Sequence, residues 1–370
     1  MDKNIPMQSP PNERPNLPDG ERVSVEAVRS LIRDALAEVG VLPVEATTIA
    51  ELMSEADLTG ADAHGVFRLP QYVRRVRARG LNPRPNITVE RIAPAVGFVD
   101  GDNGFGHLVM ARAADMAVTL ARETGVAWVG ARRSNHAGSA GVYAAMPAAQ
   151  SMIGIYTAVA SANHMAVWGG AETLLGTNPL AFGLPAKDGA LVFDMATTVV
   201  SYGTVKNYAL QGRDMPEGWF VNRADGQPLT DPRRAAEGLL LPIGGYKGSG
   251  LALMLGLLAG TLNRAEFGRD VVDFNAEPGR ECNTGHFIIA LDLARFMPID
   301  AFVAEVDRQL HDLRQSQRLP GIEAIRLPGD RRQQCRLERL RDGIPLSKNL
   351  LSELDGLAGQ LGIPPLMRGT

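Results

Sequence analysis

The chain has 370 residues, 45% hydrophobic and 21% charged, a balance that supports a sizeable buried core and excludes bulk disorder. Glycine (40) and proline (24) together fall short of the share that marks low-complexity or collagen-like sequence. Thirty-eight basic against 41 acidic side chains leave a net charge of −3, so no global field recruits nucleic acid or an anionic membrane, and a charged partner must be small and locally bound.

Residues 1–20 carry five prolines and no apolar signal segment and read as a mobile tail. From Ser24 to Gly40, Val28, Leu31, Ile32, Ala35 and Leu36 recur at helical spacing, with Ser24 placed to cap and Gly40 to terminate. Pro43 opens a second helix that ends near Gly60, and a third runs from about Pro70 to Arg79. Asn82 to Asn86 then breaks the pattern. After it the period alternates: strand at Ala93–Val99, helix at His107–Thr124, strand at Val126–Gly130, helix at Ala140–Gln150, strand at Met152–Ala160. Such alternation means a sheet with helices against it. Asn163 to Tyr246 reads as loop, interrupted by a strand at Leu191–Asp194.

The longest apolar stretch, Gly248–Leu262, is shorter than the roughly 18 residues that span a bilayer and reads as a buried helix. A strand at His286–Leu291 follows, then a helix capped by Asp300 and a C-terminal helix from Ser347 that stacks Leu350, Leu351, Leu354, Leu357 and Leu361 on one face. Two cysteines, Cys282 and Cys335, are too few for a disulfide framework or a four-thiolate zinc site, which predicts a cytoplasmic location.

No G-x-G-x-x-G fingerprint, phosphate loop, H-E-x-x-H pair or G-x-S-x-G elbow occurs, so a Rossmann domain, P-loop chemistry, a sequence-encoded metal site and an α/β-hydrolase are unsupported. What remains is a set of polar segments. His64, Arg68 and Tyr72 are spaced by four and four, which puts an imidazole, a guanidinium and a phenol on one helix face. An imidazole exchanges a proton near neutral pH and a guanidinium grips a carboxylate bidentately, a combination suited to a 2-oxo acid. The plainer alternative is a helix start followed by a solvated arginine face at Arg74, Arg75, Arg77 and Arg79.

Ser134 to Gly141 joins a strand to a helix start whose backbone amides suit a phosphate, or is simply a tight turn. Trp168 to Pro179 is a long polar-glycine loop, and Phe193 to Thr198 ends a strand with an acid and hydroxyls. Lys247 stands among glycines at a helix start, where the macrodipole disfavours a cation without an anionic partner.

Taken together, D-x-H-G-V-F-R-L-P-x-Y (62–72), S-N-H-A-G (134–138), W-G-G and G-T-N-P (168–179), F-D-M-A-T (193–197), G-G-Y-K-G (244–248), G-H-F (285–287) and R-L-P-G-D-R (326–331) resemble the second malate/L-lactate dehydrogenase family, which includes ureidoglycolate and sulfolactate dehydrogenases and piperideine-2-carboxylate reductase. The resemblance implies a mixed α/β, non-Rossmann fold: a largely antiparallel sheet domain binding NAD or NADP, with NAD placed first, flanked by helical domains. It divides the chain into an N-terminal helical domain at 21–85 joined by 331–370, a cofactor domain at 86–200 with 282–330, and a loop and helix domain at 201–281. It also implies a homodimer acting on a small carboxylate substrate.

Carried over by position, His64 resembles the general acid/base and Arg68 the carboxylate clamp, with His136 as a further catalytic candidate. Tyr72 and Thr177 fall at substrate-contact positions. His136, Ala137, Gly138, Ser139, Ala140, Asp194, Met195, Ala196, Lys247, Pro328, Gly329 and Asp330 resemble dinucleotide contacts. Two positions depart from the family. Ala63 stands where many members place a serine before the catalytic histidine. Thr204 replaces the aspartate of imine-reducing members and the lysine of hydroxy-acid members, with Lys206 two positions later. The expected activity is hydride transfer at C2 of a 2-hydroxy or 2-oxo acid. The alternatives are reduction of a cyclic imine carboxylate, and dinucleotide binding without catalysis.

Overall fold

The computed structural model describes residues 20–366, so the tail expected at residues 1–20 lies outside the described residues except for Gly20. Helix α1 (Val25–Glu38) is capped by Ser24, whose side chain accepts from the Ala27 amide, and it buries Val28, Leu31, Ile32, Ala35 and Leu36. Helix α2 (Pro43–Leu58) starts on its proline, and α3 (Leu69–Arg77) has Pro70 in its first turn.

Among the described residues, one seven-stranded sheet forms the centre: β1 (Thr88–Ala93), β2 (Val96–Asp100), β3 (Val126–Ser134), β4 (Met152–Ala158), β5 (Leu180–Ala186), β6 (Gly189–Met195) and β7 (Thr284–Asp292), in the order β1-β2-β3-β7-β4-β5-β6. Strands β2 and β3 are parallel, joined by α4 (Gly106–Thr124), and every other neighbouring pair is antiparallel. The sheet is therefore mixed and largely antiparallel, as expected.

Helix α5 (Ala140–Ala148) lies on β4 and β5 at Gly154 and Gly183, which pair in register. A Cβ on either would come within 2.3 or 2.1 Å of the Ala144 carbonyl oxygen, so the small residues set how closely this helix approaches the sheet.

The strand expected at Ala93–Val99 straddles a turn at Pro94–Ala95 and is really the end of β1 and most of β2. Every residue of β1 is exposed, so its sequence carries no alternation to reveal it. The segment expected as loop from Asn163 contains β5 and α6 (Tyr202–Leu210), the latter capped by Ser201. Helix α7 (Tyr246–Ala259) takes the place of the apolar stretch at Gly248–Leu262. In α8 (Ile299–Gln315) the cap position is Pro298, in extended conformation, and Asp300 sits one residue inside, where it favours the helix dipole but caps nothing.

Helix α9 (Asp330–Asp342) was not visible in the pattern because Cys335 is its one buried residue. Its arginines hold it to the N-terminal helices, with Arg336 2.9 Å from Glu55 and Arg339 paired with Asp62. Helix α10 (Lys348–Leu361), capped by Ser347, buries Leu351, Leu354, Leu357 and Leu361 in the core of α1–α3. None of the described helices is long and apolar enough to cross a membrane.

Candidate active site

The segment that carries His64 and Arg68 is shaped by a buried acid. Asp57, at the end of α2, is 1% exposed and its Oδ2 accepts from the Val66 amide at 2.8 Å. Gly65 rides directly on that carboxyl: a Cβ there would lie 1.9 Å from Asp57 Oδ1. The chain consequently makes two short 3-10 turns, Asp62–His64 and Val66–Arg68, broken at Gly65, in place of the single helical face that the spacing suggests. Burial, then the neighbouring Asp62, pushes the Asp57 carboxyl well above its usual range, against the pull of the Val66 amide and Arg339.

The two turns still deliver both side chains to one cleft of about 670 Å³. Arg68 Nε donates to the Ala63 carbonyl at 2.8 Å, and Nη1 to Gln71 Oε1 at 3.1 Å and Asn275 Oδ1 at 3.3 Å. Among the described residues no carboxylate forms an ion pair with this guanidinium, and burial lowers its pKa. His64 stacks on His136 with ring centroids 5.6 Å apart. Burial, then the charge of Arg68, pushes His64 down to about 4, with Asp194 opposing the shift.

Tyr72 reaches the site indirectly. It is fully buried and does not line the cleft, but its hydroxyl lies 2.6 Å from Nδ1 of His136, so it touches the imidazole from behind.

Ala137, Gly138, Ser139 and Ala140 line the cleft beside His136, as do Asp194, Met195 and Ala196 at the end of β6. Asp194 Oδ2 accepts from the Gly141 amide at 2.7 Å and from Ser139 Oγ at 3.0 Å. The start of α5 thereby has the protein's own carboxylate on its Gly141 amide, where the sequence suggested room for a phosphate. Thr177 lines the opposite wall, its carbonyl tied to Thr197.

Pro328 and Gly329 also line the cleft, whereas Asp330 does not. Its carboxylate accepts from the Leu327 amide at 2.8 Å and pairs with Arg314 at 2.7 Å, which fixes the loop from outside. Lys247 is exposed at the start of α7, away from the cleft.

Several groups in the cleft are given no role by the sequence reading. His286 bonds Tyr156 and Ser134 at 2.9 and 3.0 Å, and His164 lies flat on Tyr202 at 3.7 Å. Lys206 from α6 and Arg332 from α9 complete the walls. Lys206 is the lysine noted two positions past Thr204, whereas Arg332 sits on a helix whose charged sequence hid it. Ala63 packs on α6, where a Cβ on Gly203 would lie 2.7 Å from its own. Hydroxyls are nonetheless present on that wall: Ser201 Oγ and Thr204 Oγ1 are 2.9 Å apart and both residues line the cleft.

The family model described as malate/L-lactate dehydrogenase matches residues 23–355. The chain belongs to the malate/L-lactate dehydrogenase family. It is 36% identical over 353 residues to a malate dehydrogenase of Pyrococcus horikoshii, covering 93% of this chain and 97% of the relative. It is 33% identical to a Δ1-pyrroline-2-carboxylate/Δ1-piperideine-2-carboxylate reductase of Pseudomonas syringae pv. tomato, covering 92% and 97%. The solved sulfolactate dehydrogenase of Methanocaldococcus jannaschii superposes with a TM-score of 0.85 at 35% identity, covering 92% of this chain and 98% of that one. The chain is thus an oxidoreductase of this family, and the family's chemistry requires a nicotinamide cofactor.

Proposed function

We propose that the protein moves a hydride between a nicotinamide dinucleotide and C2 of a small 2-hydroxy or 2-oxo acid, with Arg68 holding the carboxylate and His64 handling the proton. The observation that carries this reading is the guanidinium of Arg68, set in the cleft wall beside two stacked imidazoles without a carboxylate of the protein's own against it. A cation so placed calls for an anionic ligand.

The residues present fit a dinucleotide. The cleft runs from His64 and Arg68 to the Pro328–Gly329 loop and Arg332, at a volume usual for cofactor sites. Gly138 and Gly329, at φ of 78° and 87°, leave the backbone bare on its walls. When bound, the nicotinamide supplies or accepts the hydride. NAD and NADP both satisfy this account.

In the oxidising direction, neutral His64 takes the hydroxyl proton as the hydride leaves C2, so the free enzyme holds the competent base at any pH above about 4. In the reducing direction, the protonated imidazole gives that proton to the C2 oxygen. A substrate carboxylate lying on Arg68 offsets the positive charge that depresses His64, so the imidazole becomes easier to protonate once substrate is bound. The same clamp and acid serve the C=N bond of a cyclic imine carboxylate, a second reading supported by the Pseudomonas relative. The test is whether 4-deuterated reduced nicotinamide passes its label to C2 of a 2-oxo acid or of a cyclic imine carboxylate.

The buried clusters support a helical unit closed by α10, a sheet unit and a smaller unit around α6, but Val272 and Phe274, expected in the 201–281 unit, belong to the helical core. We place a homodimer contact on the exposed face at the end of α7, where Met254 is 52% exposed on the same helix face as Leu257 and Leu258, with Leu262, 59% exposed, in the turn just past the helix. A double Met254→Glu, Leu258→Glu variant is expected to run as a monomer in light scattering at a concentration where the parent runs as a dimer. A parent that is monomeric, or a variant that stays dimeric, removes this contact from the account.

A further inference from the structure

The stacked histidines are not equivalent, and the difference lies in what surrounds His136. Two donors converge on its Nδ1. The Tyr72 hydroxyl is 2.6 Å away, and the Gly138 amide donates to the same atom at 3.3 Å. A backbone N–H cannot accept, so a hydrogen on Nδ1 would meet another hydrogen and strand a backbone donor. The lone pair must therefore be at Nδ1, and in the neutral ring the hydrogen is on Nε2. That second nitrogen has no partner among the described residues, and the ring lines the cleft.

The ring is also held uncharged. Arg68, His64, His107 and His286 are the ionisable groups whose charges bear on it, all of them cationic when charged. Burial acts in the same direction and is the larger cause. Tyr72 is itself fixed: it is fully buried between Phe105, Phe274 and the edge of His107, so the hydroxyl has one place to point.

We propose that Tyr72 and the Gly138 amide lock His136 as the neutral Nε2–H tautomer, and that this N–H is a fixed hydrogen-bond donor to the C2 oxygen or imine nitrogen of the substrate. The proposal rests on the hydride-transfer reading for its substrate, but the tautomer can be read without turnover. The division of labour balances. His64 gives one proton to the C2 oxygen as the hydride reaches C2, while His136 keeps its own hydrogen and stabilises the charge that develops on that oxygen. Tyr72 is then a positioning residue, acting through His136. This corrects its expected place as a substrate contact, since it lies behind His136 and outside the cleft lining.

The first measurement is a long-range proton–nitrogen NMR correlation on the resting, ¹⁵N-histidine-labelled protein near pH 7, with the His136 signals assigned by their loss in His136→Gln. The expected result is a pyrrole-type Nε2 and a pyridine-type Nδ1. A protonated Nδ1, or a doubly protonated ring, overturns the proposal whatever the activity assays show. Tyr72→Phe preserves the buried ring and removes one donor, and it is expected to move the Nδ1 resonance. In kinetics, His136→Gln retains an N–H donor without a titratable group. It is expected to lose less kcat than His136→Ala, which has no donor, and to keep the parent's pH profile, against the 10²–10⁴-fold loss and vanished ionisation expected of a general acid/base. A loss of that larger size, together with a vanished ionisation, shows His136 to be the proton carrier and contradicts the assignment. If no carboxylate is turned over at all, the hydride-transfer reading fails and the NMR result alone decides the tautomer.

Discussion

Replacing Arg68 by leucine is expected to lower kcat/KM for carboxylate substrates by about 30- to 4,000-fold, the size of about 2–5 kcal/mol for removing one side of a buried charged contact. The reason is geometric as well as electrostatic. Nε and Nη1 are already committed to Ala63, Gln71 and Asn275, so the guanidinium is aimed before substrate arrives and loses little freedom on binding. The parent enzyme should discriminate strongly between an acid and its neutral amide, and the variant should not. Steady-state kinetics on the acid and amide of one substrate measures this. Equal losses on both would show that Arg68 supports the fold of the site and does not read the carboxylate.

The second large effect is expected at Arg75. Its place in an arginine-rich run suggested a solvated face, yet it is completely buried, with its guanidinium 4.5 Å above the Phe274 ring. It donates to the carbonyls of Phe274, Gly80, Glu277 and Arg280, at 2.5–3.2 Å, and to Cys282 Sγ at 3.1 Å. The charge is dispersed over carbonyl dipoles and a ring in place of a carboxylate.

Those contacts fold the 274–282 segment against α3, and that segment supplies Asn275 to Arg68 and the Phe274 carbonyl to Gln71. Arg75→Met, which fills similar space without donors, leaves several buried carbonyls unpaired. It is expected to cost about 3–4 kcal/mol, with a thermal midpoint lower by roughly 4–5 °C. Substrate KM should rise in the same variant, because the support for Arg68 loosens. Calorimetry and kinetics together check both halves. A variant as stable as the parent would mean that the carbonyls find other donors.

How much of this was legible depends on how each residue makes its contacts. Helices α1 and α10 announce themselves because each buries one apolar stripe behind a serine cap, Ser24 or Ser347, and α2 because it opens on Pro43. Strand β1 and helix α9 bury almost nothing and are held by pairing and ion pairs, which leave no period in the sequence. His64, Arg68, His136 and Asp194 were identifiable from their motifs, but their partners were not. Asp57 shapes the His64 turn from a helix end that looks ordinary, and Asp194 fills the helix start that seemed free for phosphate. Lys247 stood out on electrostatic grounds, and it is exposed on the face proposed for the dimer, outside the cleft. Distances across the chain, such as the 64 residues between Tyr72 and His136, are set by tertiary packing that no local pattern encodes.

Direct hydride transfer to a carbon next to a carboxylate held by Arg68 is tested by turnover of a 2-oxo acid or cyclic imine carboxylate with 4-deuterated reduced nicotinamide, followed by mass analysis of the product. One deuterium, at C2, is expected with the parent enzyme, and strongly reduced product with Arg68→Leu. Cofactor oxidation that leaves the product unlabelled with both stereochemically deuterated cofactors, or no turnover of any carboxylate in the panel, would contradict it.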